Sequence, residues 1–341
     1  MEINRPHALS DDDVSAYEGA KLAPFFFEYE QPGFLTLAGE DRLDYLQRQT
    51  TNNLELLAPG GWLKTVLTNP AARILDVLSV FEIPRGGGID PLIGMITLPG
   101  RGGHTLEYFR RRIFFMDKVT LEDESAAVKQ VIVSGPKAEE ILPAIGLEAP
   151  RESGNFTQTD LDQSQIWAFS HGSLVGNSYL ILSLGEHAGR MIDHLTESGV
   201  PVLGRPAYEL LRLEAGVPGP DAELTDRYTP LELGLDSAIS SEKGCYTGQE
   251  VIARQITYDK VTQRLVGIQL SEQTVPGEAI FADGKKVGTV TSTGVSPKFG
   301  PLALGIIRRP HNEAGSLVQI GDQRPVEGRV TGLPFGSHES S

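Results

Sequence analysis

Residues 240–255, SSEKGCYTGQEVIARQ, contain the single cysteine of the chain, Cys245. Lys243 lies two positions before it, and Gly244 and Gly248 stand on either side. Glycines there allow a tight backbone that can approach a neighbour closely. GQEVIAR reads as the start of a helix, and Glu250 suits its first turn. Cys245 then sits just before a helix N-terminus with a cation nearby, and both features favour thiolate over thiol. The same cysteine could instead be buried as a small hydrophobe, a common use of the residue. The flanking glycines, Tyr246 and a charged neighbour speak against an apolar core position. One cysteine excludes an intramolecular disulfide, and it excludes a metal site of two or more thiolates within one chain.

Other chemistry-bearing residues form few patterns. His187 and His194, seven apart on one predicted helix, share a face. No carboxylate or third ligand lies at useful spacing, so no metal site is expected. No G-x-S-x-G elbow supports serine catalysis, and there is neither a Walker A nor a G-x-G-x-x-G opening a βαβ unit. RGGG (85–88) and GRGG (100–103) read as a hairpin loop and a helix start. YFRRRIFF places Arg110, Arg111 and Arg112 between aromatics. Such a cluster serves a solvated face, a bond to a neighbouring domain, or a grip on a phosphate or carboxylate.

The chain has 341 residues, 40% of them hydrophobic, with 38 glycines and 22 prolines. That suits two or three well-packed domains rich in turns. The formal net charge of −15 repels phosphate backbones, so direct nucleic-acid binding is not expected. A small anionic ligand needs only a local basic pocket. MEINRPHALSDDD has no apolar leader, and no run of about 18 apolar residues occurs. A cytoplasmic protein without membrane contact is the expectation.

The elements that must position these residues are legible in the hydrophobic period. Ser10 suits the N-cap of a short helix over DDDVSAYEGAKLA. FLTL reads as a strand; from Gly39 the period changes, and Leu43, Tyr45 and Leu46 form a helical stripe. WLKTVLT and RILDVLSVFEI are strands joined by the NPAA turn, and GMITLP is another. RGGHTLEYFRRRIFF reads as a helix with Leu106, Phe109 and Ile113 on one side. VIVSGPKAEEILPAIG copies the strand–Gly–helix of FLTLAGEDRLDYLQ. YLILSLGEHAGRMIDHLTESG copies IGMITLPGRGGHTLEYFRRR, with the strand IWAFS between the two copies. Two α+β units follow, each β-α-β-β-β-α, with helices covering one face of an antiparallel sheet. RPAYELLRLEAGVPGP is a further helix, with Tyr208, Leu211 and Ala215 on one face, stopped by Gly216 and Pro218. Beyond residue 262, short strands with Gly, Asp and Pro turns, among them a DGKK hairpin, predict a small β-barrel before the polar tail GSHESS.

KGCYTGQE with the following VIAR closely resembles the signature of the YgfZ family of folate-binding proteins, which includes a mitochondrial iron–sulfur assembly factor. YLQRQTTNN resembles that family's F-L-Q-G-Q-x-T-x-D, with Gln47, Gln49 and Thr51 in place. LTNPAARILDVLSV, with Arg73, resembles its L-x-T-x-x-G-R-I-L-x-D-x-x-V. LLRLEAGVP and PLELGLDSAIS match segments shared with the aminomethyltransferase (T-protein) of the glycine cleavage system. The matches run in family order from residue 33 to residue 310.

The resemblance implies a three-domain ring of the glycine cleavage T-protein type around a channel that holds tetrahydrofolate or a derivative. The parts would be an N-terminal arm (1–32), a first α+β unit (33–120) and a second (121–262), the two able to interleave, and a C-terminal β-barrel (263–335). The second unit would carry the folate-facing helix and the cysteine motif. The resemblance gives Glu214 to the pterin, where a carboxylate can accept two hydrogen bonds from the 2-amino and ring N–H groups. An exposed helix-end acid is the plainer use of that residue, and the apolar LLRLEAG favours a pocket. Gln49, Arg73, Gly248 and Gln249 are further folate contacts on the same ground. The acid–base Asp of the T-protein pattern falls on Val77, with Asp76 one place earlier. Neighbours on a strand point to opposite faces, so Asp76 faces away from the folate unless a bulge restores it.

The expected function is a folate-binding factor for assembly or repair of iron–sulfur proteins, with Cys245 as its essential thiol and Lys243 beside it. Its partners would be the assembly machinery or client proteins, and the chain would act as a monomer. The alternative is a tetrahydrofolate-dependent aminomethyltransferase acting on a lipoylated carrier, with Asp76 as the candidate base. A folate-binding module with a structural cysteine is the third reading.

Overall fold

Ser10 caps the first helix. Its Oγ accepts a hydrogen bond from the Asp13 N–H, and the Asp13 carboxylate reaches back to the Ser10 N–H, a capping box that starts α1 (Asp11–Ala20). This computed structural model describes residues 9–337; residues 1–8 and 338–341, which hold the start of the polar opening segment and most of the GSHESS tail, lie outside them. β1 (Phe25–Glu28) lies within the stretch read as an arm, yet it pairs antiparallel with a strand of the second unit.

The first unit comprises β2 (Gly33–Ala38), α2 (Arg42–Gln49), β3 (Trp62–Thr68), β4 (Ile74–Ile83), β5 (Leu92–Thr97), α3 (Gly102–Arg110) and the edge strand β6 (Thr120–Asp123). The second comprises β7 (Val128–Gly135), β8 (Phe156–Leu161), β9 (Ser164–Ser170), β10 (Asn177–Leu184) and α4 (Arg190–Glu197). The sheet orders β3-β4-β5-β2-β6 and β8-β9-β10-β7-β1 agree in their first four places, so the internal repeat read from the sequence is a repeat of topology in those four strands; the fifth strand differs, β6 following its unit's strands in the chain and β1 preceding those of the second unit.

The inner strands of each sheet are buried on both faces, which is why they are nearly continuous apolar runs, whereas the edge strands β6 and β8 are more polar and less buried. Phe34, Phe81, Trp167, Phe169 and Leu182 meet between the two sheets. Leu35, Leu78, Val80 and Met95 turn outward beneath Leu46 of α2 and Phe109 of α3. Val131, Ile166 and Ile181 do the same beneath Met191 and Leu195 of α4. The result is helices, sheet, sheet, helices, with each fully buried Leu, Ile or Phe contributing about 1.5–3 kcal/mol.

Two helices differ from the periodic reading. After β7 the copied helix is only two 3-10 turns, Ala138–Glu140 and Leu142–Ile145. Lys137 is left-handed there (φ 59°), and Pro143 lacks the N–H that a helix interior needs. α3 ends at Arg110, and Phe114, Phe115 and Met116 beyond it are exposed.

α5 (Arg205–Ala215) carries Pro206 in its first turn and ends at left-handed Gly216. Its apolar face packs on α1 and β1 through Tyr17, Phe25 and Leu211. α6 (Gln249–Thr257) follows the cysteine motif. The last six strands, β11 (Gln263–Leu270), β12 (Ala279–Ala282), β13 (Lys285–Ser296), β14 (Gly300–Arg308), β15 (Leu317–Ile320) and β16 (Val326–Thr331), form the expected closed barrel. Asp283 and Gly284, both at positive φ, make the two-residue turn of DGKK. Among the described residues no helix is long and apolar enough to cross a membrane.

Candidate functional site

A cavity of about 740 Å3 lies where β3, β4 and β5 of one unit and β7 of the other meet α5. That is the size of a site for a cofactor or drug-sized ligand. One wall is aromatic. Phe27 and Tyr208 stack with centroids 3.9 Å apart and 4° between planes, and Tyr29 Oη lies 2.7 Å from Tyr208 Oη. In a chain of net charge −15, the lining nevertheless includes Lys64, Arg101, Arg205 and Arg212. Arg205 pairs with Glu30 at 3.2 Å. Arg212 donates to Glu209 (2.7 Å), to the Val217 carbonyl (2.7 Å) and to Ser292 Oγ (3.1 Å). Ser292 in turn donates to the fully buried Glu223 (2.7 Å), whose other oxygen lies 3.5 Å from Arg212. A buried ion pair needs such satisfied partners, and here they tie α5 to the barrel.

β4 decides which group faces the ligand. Val77 and Ser79 line the cavity, and Asp76 points behind it. A bulge at Leu75 precedes Asp76, since Thr68 pairs with Ile74 and Leu67 with Asp76. It leaves Asp76 on the side of α3. There the carboxylate accepts from Thr105 Oγ1 (2.5 Å), Val77 N–H (2.8 Å) and Leu98 N–H (3.0 Å). Burial outweighs these bonds and pushes its pKa up to about 6. Leu98 itself lines the cavity, so Asp76 holds the wall from behind.

Glu214 does not line the cavity. It accepts from Tyr17 Oη at 2.5 Å and lies 3.6 Å from Lys21 Nζ, where α1 clasps α5. At 100° per residue it sits about 200° around α5 from Arg212, and the cavity side belongs to Tyr208, Glu209 and Arg212. Gln49 is buried at the end of α2, and Arg73 Nη1 donates to the Arg227 carbonyl (2.8 Å) and to Glu232 (3.3 Å). Neither reaches the cavity lining. The YLQRQTTNN segment holds its own turn: Gln47 accepts from Leu54 N–H and donates to Asn53, both at 2.7 Å, and Thr51 Oγ1 donates to the Ala238 carbonyl at 2.6 Å.

The cysteine motif is a loop built around an exposed thiol. Cys245 is free and exposed. Lys243, placed beside it in sequence, is turned away: its Nζ donates to the carbonyls of Gln47 (2.7 Å), Thr50 (2.6 Å) and Asn52 (2.7 Å). These include carbonyls that the end of α2 leaves without helical partners. Tyr246 is buried with Ala72, Leu231, Ile252 and Val261. Thr68 Oγ1 donates to the Thr247 carbonyl at 2.6 Å. Gly248 is left-handed (φ 87°), and a Cβ there would stand 2.7 Å from the Asn69 carbonyl oxygen. Gln249 opens α6. None of residues 240–249 lines the cavity.

Arg110, Arg111 and Arg112 are spent locally on the Leu121 carbonyl, Glu107 and Tyr108. His194 pairs with Asp162 at 3.2 Å on the surface. The cavity residues Lys64, Gln130, His104 and His171 carry no motif. For Lys64 a signal does exist: it is the one charged residue within the strand WLKTVLT.

Comparison with known proteins gives matches across the chain. The family model of the GCVT N-terminal domain matches residues 24–243, and that of the glycine cleavage T-protein C-terminal barrel domain matches residues 263–336. A chloroplastic Arabidopsis thaliana protein, provisionally named a transferase, is 31% identical over 335 residues, covering 95% of this chain and 74% of its own. The aminomethyltransferase of Bacillus subtilis is 25% identical over 350 residues, covering 94% and 89%. The crystal structure of the glycine cleavage system aminomethyltransferase T from Bartonella henselae superposes with a TM-score of 0.79 at 20% identity, covering 98% of this chain and 91% of that one.

Proposed function

The chain belongs to the glycine cleavage T-protein family, and on that premise we propose that it binds a reduced folate in its cavity and supports the assembly or repair of iron–sulfur proteins through Cys245. The observation that carries this reading is on β4: Val77, and not a carboxylate, faces the cavity, while Asp76 is committed behind the wall. A strand carboxylate beside the folate nitrogens is what acid–base help in one-carbon transfer would need. The cavity suits folate chemically. Phe27, Tyr29 and Tyr208 offer a surface for a flat ring, Glu209 offers a partner for its polar edge, and Lys64 offers a partner for a carboxylate. Cys245 stands outside the cavity, available to another protein and fixed in place by its neighbours.

The relatives named aminomethyltransferase favour a second reading, tetrahydrofolate-dependent aminomethyl transfer. Two measurements separate the readings. A calorimetric titration with 5-formyltetrahydrofolate shows saturable binding under either, and its absence removes both. Formation of methylene-tetrahydrofolate from an aminomethyl-lipoyl carrier at enzymatic rates selects the second. A Cys245→Ala strain should lose the activity of iron–sulfur enzymes; retained activity removes the role given to the thiol.

A further inference from the structure

Lys64 enters the cavity from the middle of β3, paired across the sheet with Ser79, which also lines it. The other cavity cations are engaged: Arg205 by Glu30, Arg212 by Glu209 and Glu223, Arg101 by the Leu75 carbonyl at 3.4 Å. Lys64 Nζ has neither a hydrogen bond nor an ion pair among the described residues, and burial with no opposing charge lowers its pKa. Two further groups of the same lining are in the same condition. His171 Nδ1 and Gln130 Oε1 are both closed to solvent and without a partner. Burial, and then the charge of Lys64, push His171 down to about 3, so its ring is neutral and the two residues are neighbours. Buried polar atoms are ordinarily bonded, and unbonded ones call for a partner that completes them.

The set defines its complement. An ammonium without an anion asks for a carboxylate. An amide oxygen and an imidazole nitrogen without donors ask for an N–H beside it. A carboxylate one carbon from an amide N–H is an N-acyl α-amino acid.

We propose that Lys64, His171 and Gln130 form a subsite for an N-acyl amino acid, with the carboxylate on Lys64 Nζ and the amide N–H on Gln130 or His171. For the ligand class proposed above, on which this identification rests, the group is the glutamyl tail of the folate. The tail then lies against β3 and β7, and the ring system takes the aromatic wall near α5.

The test is calorimetry on the full chain with tetrahydrofolate and with tetrahydropteroate, the same rings without the glutamyl group. The wild type should bind tetrahydrofolate about tenfold or more tighter, as a partly buried charge-assisted contact gives. Lys64→Met should erase that ratio and leave tetrahydropteroate affinity within about twofold. Gln130→Leu should reduce the ratio in the same direction and serves if Lys64→Met does not fold. A ratio unchanged in a folded variant overturns the subsite. If the wild type binds neither compound, the folate reading fails by itself. The subsite is then decided by N-acetyl-L-glutamate, followed at the 15N resonance of the Lys64 amine. A saturable shift that the corresponding diamide does not produce supports the subsite, and no shift overturns it.

Discussion

Asp76, buried, and Lys64, half-buried, are ionisable groups on adjacent strands, and their surroundings differ in one further respect. Asp76 has three donors to its carboxylate, whereas Lys64 has no acceptor. Even so, burial raises Asp76 to about 6. A carboxylate whose pKa is higher in the folded state stabilises the fold below the unfolded value near 4, and that contribution is lost as pH rises through about 6. The difference of about two units corresponds to roughly 3 kcal/mol. Asp76→Asn keeps an oxygen for Val77 N–H and Leu98 N–H and removes the charge. Urea titrations between pH 4 and 8 should show the variant more stable than wild type at pH 8, with the gap closing towards pH 4. A gap independent of pH would mean that Asp76 does not titrate in this range. Lys64→Met removes a half-buried charge that nothing compensates, and thermal unfolding should show a gain of about 0.5–2 kcal/mol. A stabilising substitution at a cavity residue marks a position kept for binding rather than for folding.

At the scale of elements, the cysteine loop is held to the first unit by contacts that leave Cys245 free. Lys243→Met strips the carbonyls of Gln47 and Thr50 at the end of α2, and of Asn52 just beyond it, of their donor and should destabilise by about 2–4 kcal/mol in urea titration. Gly248→Ala adds a Cβ at positive φ against the Asn69 carbonyl oxygen and should destabilise by about 2 kcal/mol or more. If either variant has wild-type stability, the loop is not anchored in this way. The sequence made the loop, α6 and the glycines legible, because helix starts and positive φ are local properties. It did not reveal what Lys243 does, because its acceptors lie more than 190 residues away in the chain. α5 shows the same division. Its span and its Gly216 stop are written in the sequence, but its facing is set by α1 and the barrel, which take the Glu214 side and leave Tyr208, Glu209 and Arg212 to the cavity. The 3-10 turns at 138–145 differ for a local reason that was present in the sequence, Pro143 inside the copied helix.

At the scale of the molecule, the repeat and the barrel follow from periodicity, while the cavity follows from how the units meet. Lys64, Gln130, His171 and Arg212 come from four separate segments, and no spacing joins them. A ligand held by all four links the first sheet, the second sheet and α5, so binding must stabilise them together. With 5-formyltetrahydrofolate at about 100 times its Kd, unfolding free energy should rise by about 2.7 kcal/mol. Hydrogen exchange should slow in β3, β4, β7, the 171–174 loop and α5 in the same titration. Residues 240–248 should exchange at the same rate with and without ligand, because none of them lines the cavity. Slowing confined to one unit would place the ligand elsewhere. Slowing that reached Cys245 would mean that the thiol senses an occupied cavity, and the two halves of the proposed function would then be coupled through the β3–β4 turn on which Gly248 rests.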